Sequence, residues 1–247
     1  MNNNKVENWC KVHMRKMQRR NKAAMLIQKW WKRFFYIVCD CSASMSHAWF
    51  NGLTENINKV LESKKHFYTT VIRFNTTCHT LSTHDNKLGY TPLSLNQLKP
   101  DGMTALNDAC MLTFRKAEKK LQKGYKVVIM IFTDGAENSS VKYPNNNFGK
   151  ETVGATAKKL RKLGAKIIFM GANQDAEKIG KSMGFNPKHC LTFDVNNYDT
   201  QAAAFRSATV ATQTGYFTQL DRQSSMPLSI SPVQVSRIKP SRSRTMQ

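Results

Sequence analysis

The stretch Phe35-Tyr-Ile-Val-Cys-Asp-Cys-Ser-Ala-Ser-Met45 places an aspartate and two serines directly after a run of aromatic and β-branched residues. Such a run predicts a β-strand, and the polar residues that follow predict a turn at its carboxyl end. The alternate spacing of Asp40, Ser42 and Ser44 allows their oxygens to converge on one point. Because Mg²⁺ prefers hard oxygen ligands, the stretch predicts a metal site at the end of a strand.

Two distant segments offer further oxygen ligands. Lys126-Val-Val-Ile-Met-Ile-Phe-Thr-Asp134-Gly135 is an unbroken apolar run, typical of a central parallel strand that is buried on both faces, and Asp134 ends it. Pro100-Asp-Gly-Met-Thr104 reads as a turn that leads into a helix, with Thr104 as the expected N-cap. Because parallel sheets bind ligands at the carboxyl ends of their strands, we expect these residues to meet there.

In type and order, five residues resemble the metal-ion-dependent adhesion site of the von Willebrand factor type A family: Asp40, Ser42, Ser44, Thr104 and Asp134. The resemblance spans residues 34–215. It implies that the serines, and often the threonine, bind Mg²⁺ (or Mn²⁺) directly, while the aspartates act mostly through bridging water. It also implies that a partner protein supplies Asp or Glu as the missing ligand.

Two details of the sequence qualify the resemblance. Ala43 stands where the family usually has glycine, so we expect mild backbone strain at this position. The segment Gly171-Ala-Asn-Gln-Asp-Ala, after Ile167-Ile-Phe-Met, is similar to one in compact stand-alone members from bacteria and large-DNA viruses. This similarity points away from integrins and plasma adhesion proteins.

Strand and helix patterns alternate along the chain. The predicted strands are 34–40, 67–74, a short edge strand 77–82, 125–133, 165–170 and 189–194, and the predicted helices are 46–64, 104–123, 150–163, 175–183 and 200–214. A polar loop is expected at 83–101. The alternation predicts an α/β fold, a doubly wound, mainly parallel central sheet with helices on both faces, which is Rossmann-like.

Charge and composition divide the chain into three parts. The net charge is +22, and the first 33 residues carry ten Lys or Arg against Glu7. We therefore predict a basic helix at 1–33, the family-like domain at 34–215, and a basic, Ser/Pro-rich disordered tail at 216–247.

The six scattered cysteines read as reduced thiols. Neither a membrane-spanning stretch nor a signal peptide is evident, so we expect an intracellular (cytoplasmic) protein that is not secreted.

The predicted N-terminal helix, Trp9 to Arg33, is cationic and amphipathic. Part of it resembles the first half of an IQ motif, with Ile27, Gln28 and Lys32 at matching positions, but Arg33 replaces the usual glycine and Ile37 falls on the closing basic position. Three roles stay open for this helix. The alternatives are packing on the domain, binding of an acidic helical partner such as calmodulin, and contact with an anionic membrane or nucleic acid.

These patterns favour recognition over catalysis. The leading interpretation is a metal-ion-dependent protein-binding module, and the alternative is an interaction protein that acts mainly through its basic N-terminal helix. A Mg²⁺-dependent phosphoryl-transfer enzyme is disfavoured because Ser42 stands where an aspartyl phosphatase needs a second Asp, and no glycine-rich phosphate loop is present. Nucleic-acid binding rests on charge alone.

Three further residues near the motifs are candidates for general bases. They are Asp108, Glu137 and His47. We interpret each as a solvated helix or loop residue, because no nucleophile and orienting partner accompany them. The sequence therefore predicts that the protein is not an enzyme.

Overall fold

A six-stranded sheet organises the part of the chain that the computed structural model describes, which is residues 13–20, 32–48, 52–84, 91–214 and 216–225. Its strands are β1 (Arg33–Asp40), β2 (Tyr68–Phe74), β3 (Cys78–His84), β4 (Lys126–Thr133), β5 (Lys166–Ala172) and β6 (Cys190–Phe193). They lie in the order β3-β2-β1-β4-β5-β6. β3 is antiparallel to β2, and the other neighbouring pairs are parallel. The prediction of a mainly parallel sheet is confirmed.

Helices cover both faces of this sheet. They are α1 (Thr54–Ser63), α2 (Leu106–Leu121), α3 (Asn147–Lys162), α4 (Ala176–Ser182), α5 (Tyr198–Thr214) and α6 (Gln219–Ser224). Apolar side chains of α1 and α5 belong to the core on one face, and those of α2, α3 and α4 belong to the core on the other. The doubly wound α/β class is therefore confirmed.

The central strand β1 shows why these residues form this sheet. Phe35, Ile37 and Cys39 point into one core, whereas Tyr36 and Val38 point into the other. This follows from the period of two in an extended chain. A strand buried on both faces requires a continuous apolar run, and each fully buried large side chain contributes about 1.5–3 kcal/mol.

The connections reverse direction between β1 and β4. From β1 the chain passes to β2 and β3 on one side, and it then returns to add β4, β5 and β6 on the other. In open α/β sheets, the crevice at the carboxyl ends of the strands flanking such a reversal is where ligands bind. Asp40 ends β1 and Asp134 directly follows β4. The topology thus places the two predicted metal-site carboxylates at the reversal.

Several predicted boundaries differ from the observed ones. The predicted helix 46–64 corresponds to helical residues 46–48 and to α1, with residues 49–51 outside the described part. The predicted loop 83–101 contains the last residues of β3 and a 3-10 helix, Leu95–Leu98. β1 begins at Arg33, one residue inside the predicted N-terminal helix, because Arg33 already pairs in register with Lys126 of β4.

The predicted disordered tail also needs correction. Within it, α6 forms, and the Thr218 side chain accepts a hydrogen bond from the Asp221 amide at 3.2 Å. Arg222 donates to the carbonyl of Cys190 at 3.0 Å and pairs with Glu177, which fastens α6 to the end of the sheet. Residues 226–247 lie outside the described residues, as do residues 1–12 and 21–31. In the predicted N-terminal helix, residues 13–20 are described, and they are helical.

Candidate metal site

Three loops meet at the carboxyl ends of β1 and β4. The first turns immediately after Asp40, whose Oδ1 accepts a hydrogen bond from the Ser42 amide at 2.8 Å. The hydroxyl oxygens of Ser42 and Ser44 then lie 3.1 Å apart. Ser44 donates its hydroxyl to Asp134 Oδ1 at 2.7 Å, across 90 residues of sequence. Four of the five predicted residues are therefore linked by direct contacts.

The second loop, residues 101–104, lies against this turn. The Asp101 amide donates to the Cys41 carbonyl at 2.8 Å, and the Ala43 amide donates to the Gly102 carbonyl at 3.0 Å. Gly102 has a φ of 72°, and a Cβ atom there would lie 2.5 Å from Thr76 Oγ1. Glycine is therefore required at 102 for the loop to approach the β2–β3 turn. This approach delivers Thr104 to the site.

Thr104 is fixed by the third loop, which follows β4. Its amide donates to Asn138 Oδ1 at 2.8 Å, and its carbonyl accepts from the Asn138 amide at 3.0 Å. A Cβ atom on Gly135 would lie 2.8 Å from Thr104 Oγ1. The threonine hydroxyl therefore packs against the residue that follows Asp134. All five predicted residues lie at one edge of the sheet.

Burial makes the two carboxylates of this site costly to ionise. It raises the pKa of Asp40 to about 6, although hydrogen bonds from Thr133 and Ser42 oppose the shift, and the charge of Asp134 raises it further. Burial also raises the pKa of Asp134, against the hydrogen bond from Ser44. Two partly desolvated carboxylates that face hydroxyl groups form an environment in which a cation offsets the burial penalty.

The donor set fits a hard divalent cation. Among the described residues, no three His, Cys, Asp or Glu side chains cluster in a way that could hold a metal ion. A metal at this edge would therefore draw on hydroxyl oxygens as well as on the two carboxylates. Few negative ligands and several neutral oxygens suit Mg²⁺ or Mn²⁺ rather than a softer ion such as Zn²⁺.

The expected backbone strain at Ala43 is absent. Ala43 is exposed and opens a 3-10 helix, Ala43–Met45. Among the described residues, the positive φ angles of non-glycine residues are confined to Asn173, at 52°. Since Ala43 adopts an ordinary backbone conformation, the loop does not require glycine there. The prediction of strain is wrong.

The N-terminus of α2 corrects two further predictions. Thr104 is not its N-cap, because α2 begins at Leu106 and the cap position is Ala105. The Asn107 amide instead donates to Glu137 Oε2 at 2.6 Å, and that carboxylate also accepts from the amides of Ser139 and Ser140. Glu137 is only 8% exposed, so it is a buried cap supplied from a distant loop and not a solvated residue.

Asp108 is likewise structural. Its carboxylate accepts hydrogen bonds from three successive backbone amides of the loop after β4, those of Val141, Lys142 and Tyr143, at 2.9–3.3 Å. It therefore holds this loop against the first turn of α2. The side chain of His47 lies outside the described residues.

Sequence reasoning missed three residues that support the site. Thr133 donates its hydroxyl to Asp40 Oδ2, Asn138 fixes Thr104, and Gln174 donates to the Thr133 carbonyl at 2.8 Å. Thr133 carried a usable signal, because a hydroxyl at the end of a fully buried apolar run needs a partner. The other two act through contacts between separate loops, for which the sequence offers no local signal.

The remaining predictions concern the IQ-like segment, the cysteines and membrane-spanning helices. Of the IQ-like residues, Ile27 and Gln28 lie outside the described part, and Lys32 is exposed with its ammonium 5.9 Å from the ring centre of Tyr68. The described cysteines are free thiols, namely Cys39, Cys41, Cys78, Cys110 and Cys190. No helix in the described ranges is both long and apolar enough to cross a membrane.

Comparison with known proteins agrees with the fold. The profile of the von Willebrand factor type A domain matches residues 35–207. No protein with a curated description matches the chain. Among solved structures, the PilB minor pilin from Streptococcus sanguinis is similar, with a TM-score of 0.51 and 14% identity over 79% of this chain and 63% of that one.

Two other solved structures are similar in fold. Proximal thread matrix protein 1 from the mussel byssus has a TM-score of 0.50 and 12% identity over 73% of this chain and 48% of that one. A von Willebrand factor type A protein from Catenulispora acidiphila has a TM-score of 0.49 and 13% identity, and covers 73% of this chain and 42% of that one. The chain spans less than two thirds of each of these three structures.

Proposed function

The chain belongs to the von Willebrand factor type A family, and from that premise we propose that it is a metal-ion-dependent protein-binding module. The site would hold Mg²⁺ or Mn²⁺ and capture an acidic side chain of a partner protein. One observation carries the proposal: Ser42, Ser44 and Asp134, which come from two distant loops, are joined by direct side-chain contacts at the β1–β4 reversal.

Each of the five candidate residues would have a distinct role in such a site. Ser42, Ser44 and Thr104 would supply neutral oxygens to the ion. Asp40, which is buried beneath the serines, and Asp134, which contacts Ser44, would supply negative charge. Asp40 also orients the turn, because its Oδ1 accepts the Ser42 amide. A bound Mg²⁺ would supply an electrophilic centre with a position open for a carboxylate oxygen of the partner.

The surroundings of the site suit a protein partner. Ser44 and Ala43 are exposed, while Asp40 is buried beneath them, so a ligand would approach from the serine side. Met103 is 49% exposed, and its loop lies against Ala43 through the Ala43–Gly102 hydrogen bond. An exposed apolar side chain beside a polar centre is typical of the mixed contacts in protein interfaces. We therefore expect an Asp or Glu flanked by an apolar residue.

Catalysis is less well supported than recognition. The carboxylates of Glu137 and Asp108, the described candidates for a general base, are committed to backbone amides in the loop after β4. A base whose oxygens already accept several amide hydrogen bonds is poorly suited to remove a proton from a substrate. We accordingly propose that the protein is not an enzyme.

The test is differential capture of partners from cell extract. The immobilised full chain is incubated with extract in Mg²⁺, washed, and eluted with EDTA, and the eluate is compared with that of the Ser42→Ala/Ser44→Ala variant. We expect proteins that are retained by the native chain, released by EDTA, and not retained by the double variant. The matched control is Ser63→Ala/Ser182→Ala, since these exposed serines lie on α1 and α4, away from the site.

Two outcomes would count against the proposal. Retention that survives EDTA removes the metal from the mechanism. Equal loss of retention in the site variant and in the control variant would mean that the substitutions act by lowering stability and not by removing metal ligands. A denaturation curve of each variant measures its stability independently.

A further inference from the structure

Basic side chains are concentrated at the amino ends of the strands, opposite the candidate metal site. Five segments converge there: residues 32–33, 62–66, 118–126, 159–166 and 186–189. They carry Glu62 and Glu118 as acids against thirteen basic residues, which are Lys32, Arg33, Lys64, Lys65, Lys119, Lys120, Lys123, Lys126, Lys159, Arg161, Lys162, Lys166 and Lys188. We call this surface the basic face.

The rest of the domain is close to neutral. Residues 34–221 contain 23 basic and 15 acidic residues, and outside the basic face the same span has 12 basic and 13 acidic ones. The excess positive charge of the domain therefore belongs to one end of the molecule and is not a general property of its surface. A field of one sign on one end directs the approach of an anionic partner.

The cations of the basic face are close enough to influence one another. Arg33 and Lys126 are register partners at the start of β1 and β4. Burial, and then the charge of Arg33, lowers the pKa of Lys64 to about 8. The pKa of Lys120 is lowered by burial and then by Lys123 and Lys32. Crowded like charges lower stability, so an anion that neutralises them would be favoured.

An aromatic layer lies beneath these cations. Lys120 sits 4.4 Å from the ring centre of Phe34, and Lys32 lies 5.9 Å and 6.0 Å from those of Tyr68 and Tyr125. Phe34 is itself buried and stacks on Tyr68 at 5.0 Å. Because the rings are packed together under the cations, they do not form the open stacking platform that single-stranded nucleic acids use.

The helical residues 13–20, which precede the basic face in sequence, combine positive charge with exposed apolar side chains. Met14 and Met17 are 62% and 59% exposed in the helical residues 13–20, and the sequence between them and after them is rich in Arg and Lys. Apolar side chains add nothing to phosphate-backbone contacts, whereas exposed methionines beside basic residues suit the boundary between headgroups and acyl chains.

We propose that the basic face, with the helical residues 13–20 as a second contact, binds the surface of anionic phospholipid membranes. The metal site at the opposite end would then point away from the membrane, towards a partner. The inference is independent of the proposed function, because it uses none of the metal-site residues.

The test is flotation of the full chain with lipid vesicles in EDTA. Vesicles of phosphatidylcholine alone are compared with vesicles that also contain phosphatidylserine. The face variant is Lys119→Gln/Lys123→Gln/Lys162→Gln, in which each lysine is exposed. Each basic residue near an anionic surface strengthens partitioning about fivefold, so we expect partitioning of the variant to be roughly 100-fold weaker.

The matched control is Lys99→Gln/Lys150→Gln/Lys178→Gln, which removes the same charge from exposed positions outside the basic face. We expect this control to bind phosphatidylserine vesicles nearly as well as the native chain. Equal weakening of both variants, or binding that ignores phosphatidylserine, would overturn the proposal. Preferential binding of a short DNA duplex over vesicles at equal phosphate concentration would also overturn it, and would assign the face to nucleic acid.

Discussion

Replacement of Asp40 by asparagine should stabilise the metal-free protein while it removes a carboxylate from the candidate metal site. Burial raises the pKa of Asp40 from 3.8 to about 6. Because one pKa unit corresponds to about 1.4 kcal/mol, the ionised carboxylate destabilises the metal-free fold by about 3 kcal/mol at neutral pH. Asparagine carries no charge, so Asp40→Asn removes this penalty.

The local hydrogen bonds accommodate the substitution. The amide oxygen of asparagine can still accept the Ser42 amide, as Asp40 Oδ1 does at 2.8 Å. The amide nitrogen would face Thr133 Oγ1, which can accept from it and donate its own proton to the Gly135 carbonyl, 3.3 Å away. The Ser42 amide, the Thr133 hydroxyl and one of the two amide hydrogens of asparagine thus have partners, and we expect a net gain of about 1–3 kcal/mol.

The gain should depend on pH in a defined way. The folded-state pKa of Asp40 lies above the unfolded value, so the native protein loses stability as pH rises from about 4 to about 6. Below this window the carboxyl is neutral in both states, and the advantage of Asp40→Asn should vanish. Urea denaturation in EDTA at pH 7 and at pH 3 measures both values.

The control for this experiment is Asp101→Asn, because Asp101 is exposed. Its free energy of unfolding should change by less than about 0.5 kcal/mol at either pH. A destabilised Asp40→Asn protein at pH 7, or a gain of equal size at both pH values, would refute the inference that burial makes the ionised Asp40 carboxylate destabilising.

Three further substitutions test separate parts of the structure. Glu137→Ala should lower the free energy of unfolding by about 3 kcal/mol, measured by urea denaturation, because it leaves buried amides of α2 and of its own loop without an acceptor. Gly135→Ala should weaken Mg²⁺ binding in a calorimetric titration, since the new Cβ would lie 2.8 Å from Thr104 Oγ1 and displace it. Ala43→Gly should cost about 0.5–1 kcal/mol in stability through the unfolded state and leave Mg²⁺ affinity unchanged, because Ala43 is unstrained; a gain in affinity would restore the case for glycine.

Local patterns in the sequence were sufficient for the sheet and for the placement of the five candidate metal-site residues at one of its edges. Asp40 and Asp134 could be placed because each ends a long apolar run, and the carboxyl ends of such strands share one edge. Ser42 and Ser44 follow from their spacing after Asp40. These inferences required only the period of a strand and the rule for parallel connections.

The errors arise where distant segments meet. Thr104 was expected to cap α2, but the cap comes from Glu137, some thirty residues later in the chain, and no local pattern reveals a partner at that distance. The assumption of strain at Ala43 transferred a family preference to a loop whose φ angles here are ordinary. By contrast, α6 could have been predicted, because Thr218 and Asp221 form a capping box that is visible in the sequence.

The most direct test of the candidate metal site is a calorimetric titration of the full chain with Mn²⁺ at pH 7, repeated with Ser42→Ala/Ser44→Ala and with Ser63→Ala/Ser182→Ala. We predict one bound ion per chain for the native protein and for the control variant, and none for the site variant. Binding of Mn²⁺ with equal affinity to all three proteins, or to none of them, would contradict the assignment of a metal to this edge of the sheet.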